Sequence, residues 1–446
     1  MPSDNEKFFR LNISVFDKIL IHKSADQHIV ANTCLHILSS AHPDFLENYN
    51  LSTKGRGWVS IRVKLVLVVR AFQSIFNGKY YCTRQKDVKS DVLFVSHLTN
   101  KQQVSQDSDA YFGDLPNQLL LNGVSSSVVL MNHAKANKQQ VFDGWGCSEI
   151  PRFVLGPSLG FLSEIKLYFD QRKSKQQLKS ILRDLKIDKI LAEDILYNHF
   201  SASTFDALRV AKQIANIASR TNAKFIVTTY EGHAWERLVY YYARKVNPNI
   251  KCFGYQHAAI FECQHAIKRP LSAEYNPDII LTSGLIAKDI LEQEQLKESE
   301  ITCIGSPKYS IPCAMTNKRQ ACLVVPAYIV EECLNLFKFS LIYAKKHQDQ
   351  KFIWRLHPLI NFERLKKYSS IFKELPSNIC LSESSLKKDI KDCDSVLYHA
   401  STAVVNAINS GLRPIYYRQS SDELSIDPIY QHQQGKEIVH NQKELN

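Results

Sequence analysis

The feature that most constrains the fold is a regular alternation of short apolar runs with longer segments of helical periodicity. The short runs are rich in Val, Ile and Leu, which is typical of strands covered on both faces. Segments such as 204–220 repeat apolar residues every three or four positions. Repeated β-α-β units impose a parallel sheet with helices on both faces, so the sequence predicts an α/β fold. Up to residue 305 the predicted strands are 18–22, 92–98, 127–132, 152–156, 224–230, 251–256, 278–283 and 301–305.

The same alternation restarts further along the chain. Residues 306–320 contain two prolines and little periodicity, which is typical of a linker. A second β-α series follows, with predicted strands at 322–326, 351–356, 378–382, 395–399 and 413–417. We therefore predict two Rossmann-like, doubly wound domains, one after the other. The predicted domains are residues 1–312 and residues 318–446, the latter including a weakly patterned C-terminal tail.

Charge indicates the kind of partner. The chain of 446 residues has 56 Lys and Arg against 44 Asp and Glu, a net charge of +12. Such a surplus favours nucleotides, acidic glycans, anionic lipid surfaces or nucleic acid. A non-catalytic protein that binds an anionic polymer is one alternative. The sequence lacks an RRM-like aromatic signature, a helix-turn-helix pattern and a dense basic tract, so we expect no nucleic-acid partner.

Compartment follows from cysteine usage and from apolar runs. The 11 cysteines form no C-x-x-C pair, which is typical of reduced thiols in a cytoplasm. No segment reaches the ~18 apolar residues of a membrane span, and the N-terminus lacks a signal-peptide pattern. Residues 58–76 are apolar but interrupted by basic residues. We predict a buried helix or strand there, with a peripheral contact on the inner face of an anionic membrane as the alternative.

Metal and hydrolase chemistry have little sequence support. The spacing of Cys252, His257, Cys263 and His265 matches no common zinc pattern, and neither Asp-x-Asp triplet, 107–109 or 392–394, ends a strand. We therefore predict neither a metal nor a cofactor. Residues 156–160 fit G-x-S-x-G, which keeps a serine hydrolase acting through Ser158 as an alternative; a glycine-punctuated turn is the main interpretation.

Polar side chains at predicted strand ends are the stronger signals. P-loop and dinucleotide-binding glycine patterns are absent. Open α/β sheets bind ligands beyond the carboxyl ends of their strands. In the second domain Arg355, His357 and Pro358 end one strand. Ser401 and Thr402 end another and open a helix, where a side-chain cap and free amides favour an anion.

In the first domain Glu231 and Gly232 follow a strand, as do His257 and Ser306. Two interpretations of Glu231 stay open: it is a general base that meets an acceptor hydroxyl, or an acid that complements a helix dipole.

These motifs resemble those of bacterial GT-B sialyltransferases and Kdo transferases. The segments at 111–116 (YFGDLP), 230–236 (YEGHAWE) and 254–257 (GYQH) are also similar to a group of bacterial surface-carbohydrate biosynthesis proteins. The resemblance implies that Glu231 is the catalytic base, that His357 contacts the phosphate of CMP, and that Ser401 and Thr402 grip the same phosphate. Tyr230 departs from the family's pattern, which has two acids before the glycine. The serine-rich segment that contains Ser384 is a candidate for binding the base of the donor nucleotide, and a helix cap is an equal interpretation of the same segment.

The resemblance implies an inverting, metal-independent glycosyltransferase of GT-B fold, in which two Rossmann-like, doubly wound domains face each other across a cleft. The donor would be a CMP-activated acidic sugar, either Kdo or a nonulosonic acid such as sialic, pseudaminic or legionaminic acid. The acceptor would be a bacterial surface glycan (capsule, O-antigen or lipooligosaccharide), free or lipid-linked. A GT-B transferase that uses a UDP-sugar or CDP-glycerol is the alternative within this architecture.

Overall fold

A computed structural model of the chain describes residues 4–37, 79–84, 87–269, 271–294, 296, 299–307, 321–327, 329–357, 360–420, 425–432, 434–441 and 444. The chain forms two compact units. The first unit comprises Phe9–His257 and Gln264–Lys308, and the second comprises Tyr309–Asn446 with Met1–Phe8 and Ala258–Cys263. The predicted boundaries of 1–312 and 318–446 stay predictions, because residues 308–320 lie outside the described part.

The helices and strands alternate along most of the described chain. In chain order the helices are α1 (Asp4–Leu20), α2 (Gln27–Val30), α3 (Cys34–Ile37), α4 (Leu115–Leu121), α5 (Lys138–Trp145), α6 (Phe161–Asp184), α7 (Lys189–Asn198), α8 (Ala202–Thr221), α9 (Ala234–Val246), α10 (Leu285–Gln293), α11 (Val330–Lys346), α12 (Phe362–Tyr368), α13 (Leu386–Lys391) and α14 (Ala403–Asn409). The strands are β1 (Tyr80–Cys82), β2 (Val92–Leu98), β3 (Ser126–Asn132), β4 (Arg152–Leu155), β5 (Phe225–Thr229), β6 (Lys251–Gln256), β7 (Ile279–Thr282), β8 (Glu300–Cys303), β9 (Ala321–Val325), β10 (Lys351–Trp354), β11 (Ile379–Leu381), β12 (Ser395–Tyr398), β13 (Arg413–Tyr417) and β14 (Glu437–Val439).

The first unit holds an eight-stranded sheet in the order β1-β4-β3-β2-β5-β6-β7-β8. The strands run parallel except β1, which pairs antiparallel with β4. From β4 to β7 this is the Rossmann order 3-2-1-4-5-6, whose topological switch point lies between β2 and β5. Ligands bind such sheets beyond the carboxyl ends of the strands at that point.

The second unit repeats this order. Its six strands follow β11-β10-β9-β12-β13-β14 and are all parallel, so the switch point lies between β9 and β12. The core between the sheet and α11 contains Phe337 stacked on Trp354, with ring centroids 4.3 Å apart. The prediction of two Rossmann-like α/β domains is confirmed.

Parts of the chain differ from the sequence-based expectation. Residues 18–22, predicted as a strand, belong largely to α1, where Phe16, Ile19 and Leu20 are buried at helical spacing. The long helix α6 and the edge strand β1 were not predicted. The C-terminal tail, which looked weakly patterned, supplies β14 as the edge strand of the second sheet.

No helix among the described residues is long and apolar enough to cross a bilayer. The segment 58–76 lies outside the described residues.

Candidate functional site

A row of polar side chains lies at the switch point of the first sheet. His97 is the second-to-last residue of β2, and His133 follows β3. Glu231 lies two residues after β5, and His257 follows β6. Because β3, β2, β5 and β6 are parallel neighbours, their carboxyl ends share one edge of the sheet. The structure therefore brings the predicted residues Glu231 and His257 to the same edge, with two further histidines. We call His133, His97, Glu231 and His257 the first-sheet row.

His97 is at the centre of this row and makes two polar contacts. Its Nδ1 lies 3.0 Å from Nε2 of His133, and its Nε2 lies 3.0 Å from Oγ1 of Thr229. The Tyr111 ring packs against His97 at 5.2 Å and against His257 at 4.8 Å between centroids. Burial, together with the neighbouring histidines, lowers the pKa of His97 to about 3, so its imidazole is neutral.

Glu231 and His233 form an ion pair beside the row. Nε2 of His233 donates to Oε2 of Glu231 at 3.0 Å. Burial acts to raise the pKa of the Glu231 carboxyl, but the His233 hydrogen bond and the nearby histidines outweigh it and lower that pKa to about 2. Burial lowers the pKa of His233, whereas Glu231 and Glu236 raise it to about 9. The Glu231 side chain is 32% exposed, so an ionised carboxylate can meet a ligand.

The turn that presents Glu231 is held from inside by Glu236. The Glu236 carboxylate is buried and accepts the backbone N–H groups of Glu231, Gly232 and His233 at 2.7–3.2 Å. Gly232 has a φ of +85°, and a Cβ there would lie 2.2 Å from the backbone of Ala266. Gly232 is therefore required by the close approach of a neighbouring loop; its predicted contact with substrate stays a prediction.

Ser306 lies near this edge, after β8. The Tyr255 hydroxyl donates to the Gly305 carbonyl at 3.3 Å and is hydrogen-bonded to Ser306, which acts to lower the tyrosine pKa against the effect of burial. A Cβ on Gly113 would lie 2.8 Å from Pro307, so the segment at 111–116 packs against the end of β8.

The second sheet carries a separate candidate site at its own switch point. Ser401 and Thr402 follow β12, and His357 follows β10, on either side of β9. Burial lowers the pKa of His357, and the charge of Glu332 acts in the opposite direction. The structure therefore brings these three predicted residues to one edge of the sheet. Pro358 lies outside the described residues.

Glu332 organises this second edge and was not predicted. Its buried carboxylate accepts the backbone N–H groups of Ala327, after β9, and Ala400, after β12, each at 3.1 Å. The same oxygen lies 3.6 Å from Nδ1 of His399. Glu332 thus ties together the two loops at the switch point. The sequence signal for it is an acidic first turn in α11 directly after a strand.

The structure corrects one detail of the second-domain predictions and confirms another. Thr402 is the N-cap of α14, but its side chain makes no capping hydrogen bond, because its backbone is helical (φ −68°, ψ −8°) rather than extended. At the next strand end, Ser385 caps α13 by accepting from the Lys388 N–H at 3.3 Å. The helix-cap interpretation of that segment is confirmed for Ser385.

Arg355 and Ser384 contact each other rather than an open edge. Nη1 of Arg355 donates to the Ser384 carbonyl at 2.6 Å and to Oδ2 of Asp389 at 2.7 Å. Ser382 also donates to Asp389, at 2.6 Å. This ion-pair cluster fixes the loop after β11. That Arg355 and Ser384 bind a nucleotide stays a prediction.

The structure argues against the hydrolase alternative. Ser158 is only 1% exposed, and its Oγ accepts the Gly160 N–H at 3.1 Å, whereas a nucleophile elbow presents an exposed serine.

Two members of the set Cys252, His257, Cys263 and His265 have structural roles. Cys252 is buried in β6, which raises the pKa of its thiol to about 12, and Nε2 of His265 lies 2.8 Å from Oδ2 of Asp17. Among the described residues, no group of three or more His, Cys, Asp or Glu side chains is arranged to hold a metal ion.

His97 and His133 are the residues that sequence reasoning missed. Both were inside or next to strands that were correctly predicted, and both are polar residues at the end of an apolar run. That pattern is the available signal, because a buried strand rarely ends on histidine without a polar neighbour.

The sequence matches no protein-family model and no curated protein. Comparison with solved structures gives distant similarities. MurG from Acinetobacter baumannii is 9% identical over 79% of this chain and 86% of its own, with a TM-score of 0.39. The UDP-GlcNAc 2-epimerase of Methanocaldococcus jannaschii, in complex with UDP-GlcNAc and UDP, is 11% identical over 79% and 90%, with a TM-score of 0.46. The glycosyltransferase SnogD from Streptomyces nogalater is 12% identical over 74% and 82%, with a TM-score of 0.38. The similarity is one of backbone fold.

Proposed function

We propose that this chain is a glycosyltransferase that takes a sugar from a nucleotide-activated donor. The proposal assigns the acceptor to the carboxyl edge of the first sheet and the donor nucleotide to that of the second. The observation that carries it is the ionised, part-exposed Glu231 carboxylate at a Rossmann switch point, 3.0 Å from His233. A carboxylate so placed is suited to remove a proton from a hydroxyl.

In the proposed reaction the acceptor hydroxyl attacks the anomeric carbon of the donor sugar. A new C–O bond forms as the bond from that carbon to the nucleotide phosphate oxygen breaks. The bonding electron pair leaves with the phosphate, and the acceptor proton passes to the Glu231 carboxylate. His357 and the hydroxyl groups of Ser401 and Thr402 would stabilise the charge on the departing phosphate. Preorganised donors of this kind contribute about 10²–10³ in rate each.

The donor nucleotide is the open part of the proposal. The resemblance in sequence favours CMP, which would bring an acidic sugar. UDP-GlcNAc is the ligand of the Methanocaldococcus jannaschii epimerase, and this agrees better with the alternative of a UDP-sugar donor. We therefore treat uridine and cytidine nucleotides as equal candidates and let binding decide between them.

A thermal-shift screen of the purified protein with CMP, CDP, UMP, UDP and GDP tests the proposal. A ligand at about 100 times its Kd stabilises a protein by about 2.7 kcal/mol, which gives a clear rise in Tm. We expect one nucleotide to raise Tm in the wild type and to do so less in His357→Ala and in Ser401→Ala/Thr402→Ala. His347→Ala, at an exposed histidine that precedes β10 and so lies toward the amino edge of the sheet, is the matched control and should keep the shift.

The outcome also selects the donor. A shift with CMP directs the search to CMP-activated acidic sugars, and a shift with UDP directs it to UDP-sugars. The absence of a shift with all five nucleotides would contradict the proposal.

A further inference from the structure

The outer face of α6 combines exposed apolar residues with basic ones. Leu162, Ile165 and Phe169 follow the i, i+3, i+7 spacing that places side chains on one side of a helix. Leu162 is 78% exposed and Phe169 is 59% exposed, and Ile165 is exposed as well. The opposite side of α6 is buried in the first unit through Leu167, Leu178 and Ile181. The helix therefore has a second apolar stripe that faces solvent.

Basic residues flank this stripe. Lys166, Arg172, Lys173 and Lys179 are exposed and lie within one turn of the apolar residues or along the same face. We call Leu162, Ile165 and Phe169 with these four cations the α6 face.

Two of the three carboxylates of α6 are not available to balance this charge, and the third, Asp184, is exposed at the C-terminal end of the helix, next to the exposed Arg183. Glu164 is buried in an ion pair with Arg209, with Oε1 and Nε 2.8 Å apart. Asp170 is half-buried and interacts with Lys212. Along residues 161–179 the exposed charges are therefore all positive.

We propose that the α6 face docks the protein on an anionic membrane surface. An interfacial helix needs apolar side chains that enter the acyl boundary and cations that meet lipid phosphates, and the α6 face has both on one side. A polar protein partner would leave Leu162 and Phe169 in contact with polar groups. A neutral apolar partner would leave the cations without counter-charges. An anionic lipid surface satisfies both sets, and the net charge of +12 acts in the same direction.

Co-sedimentation with vesicles tests this proposal without any donor or acceptor, so its outcome is independent of the proposed transferase activity. The vesicles are phosphatidylcholine alone, or phosphatidylcholine mixed with phosphatidylglycerol. We expect binding only to the anionic vesicles, weakened by added salt because ions screen the charges. Lys166→Gln/Lys173→Gln should lower the partition coefficient about thirtyfold, since each cation near an anionic surface contributes about 1 kcal/mol.

Two controls match this design. Lys351→Gln/Lys373→Gln removes two exposed charges from the second unit and should bind like the wild type. Leu162→Gln/Phe169→Gln should lower binding at least about tenfold, because the apolar area that enters the lipid is lost. Leu121→Gln, at an exposed apolar position on α4, should leave it unchanged.

Three results would overturn the proposal. The first is that the wild type does not bind anionic vesicles at low salt. The second is that the α6 variants bind as well as the wild type, which would move the contact to another part of the chain such as residues 58–76. The third is that Leu162→Gln/Phe169→Gln abolishes self-association in sedimentation velocity without affecting vesicle binding, which would make the α6 face an interface between two copies.

Discussion

Nε2 of His233 lies 3.0 Å from Oε2 of Glu231, two residues earlier on the same turn. This pair keeps the carboxylate ionised at a position where burial alone would favour its protonated form. The ionisation state of the candidate base is therefore set by a local histidine. The pair also gives a reason for the order Glu-Gly-His after β5. Gly232 makes the turn that lets the side chain of His233 reach back to that of Glu231.

Glu231→Gln should lower kcat for glycosyl transfer by about 10²–10⁴-fold, because the amide cannot accept the acceptor proton. Nucleotide binding should be unchanged, as the donor is assigned to the second sheet. Glu300→Gln, at an exposed position at the start of β8, is the control and should keep full activity. Equal rates for Glu231→Gln and wild type would remove Glu231 from the mechanism.

His233→Gln should move the acidic limb of the pH–rate profile to higher pH. The pKa of Glu231 is about 2 because the His233 hydrogen bond and the nearby histidines outweigh burial. Without His233 the burial effect dominates, and the pKa of Glu231 rises toward or above its ordinary value. The measurement is kcat/KM between pH 4 and 9 for the variant and for His347→Gln, an exposed histidine of the second unit. Superimposable profiles would show that His233 does not set the ionisation of the base.

Gly232→Ala should destabilise the first unit more than Gly123→Ala. Both glycines have positive φ, +85° and +77°, so each alanine costs about 1–2 kcal/mol in backbone strain. Only at Gly232 does the new Cβ also meet a backbone, that of Ala266 at 2.2 Å, which adds about 1–3 kcal/mol. Thermal denaturation of the two variants measures the difference. Equal Tm values would mean that the loop carrying Ala266 yields at no cost.

Stability should fall as the pH drops below about 6.5. Burial lowers the pKa of His199 to about 3 and also lowers those of His36 and His97. The unfolded chain has histidine pKa values near 6.5, so below that pH it binds more protons than the folded chain, and stability decreases until the folded pKa is reached. For His199 alone this is on the order of 2 kcal/mol between pH 7 and pH 5.

Urea denaturation at these two pH values measures the effect. His199→Gln should show a smaller difference between them than the wild type, whereas His440→Gln, at an exposed position, should show the same difference. A wild-type midpoint independent of pH would contradict the assignment of neutral buried histidines.

Glu332→Ala should destabilise the second unit and reduce nucleotide binding together. The substitution leaves the N–H groups of Ala327 and Ala400 without their carboxylate, at about 1–3 kcal/mol for each buried donor. Glu332→Gln keeps one side-chain oxygen and should retain most of the stability. The check is the Tm of each variant with and without the nucleotide that binds best. An unaltered nucleotide shift in Glu332→Ala would separate this carboxylate from the donor site.

Much of the secondary structure was predictable from local sequence patterns. The apolar runs predicted the central strands of both sheets, and β6 and β13 have the predicted bounds. Glu231 and His257 were recognised because polar residues follow apolar strands. The failure at 18–22 has a simple cause: the short apolar run 19–21 fits either a strand or one side of a helix. Only the tertiary structure, which buries Phe16 together with Ile19 and Leu20, decides for the helix.

Which residues lie side by side at the candidate sites was decided only by the tertiary structure. His97 and His133 lie 134 and 98 residues before Glu231 in sequence. They share a sheet edge with it because the strand order places β2 beside β5 and β3 beside β2. Glu332 joins loops that are separated by more than seventy residues. Arg355, whose contact with a ligand stays a prediction, donates to Asp389, 34 residues further along the chain. Periodicity is set by each segment's own burial, so the sequence carries it directly. Which strand ends lie side by side depends on pairing and packing across the whole sheet, which no local pattern contains.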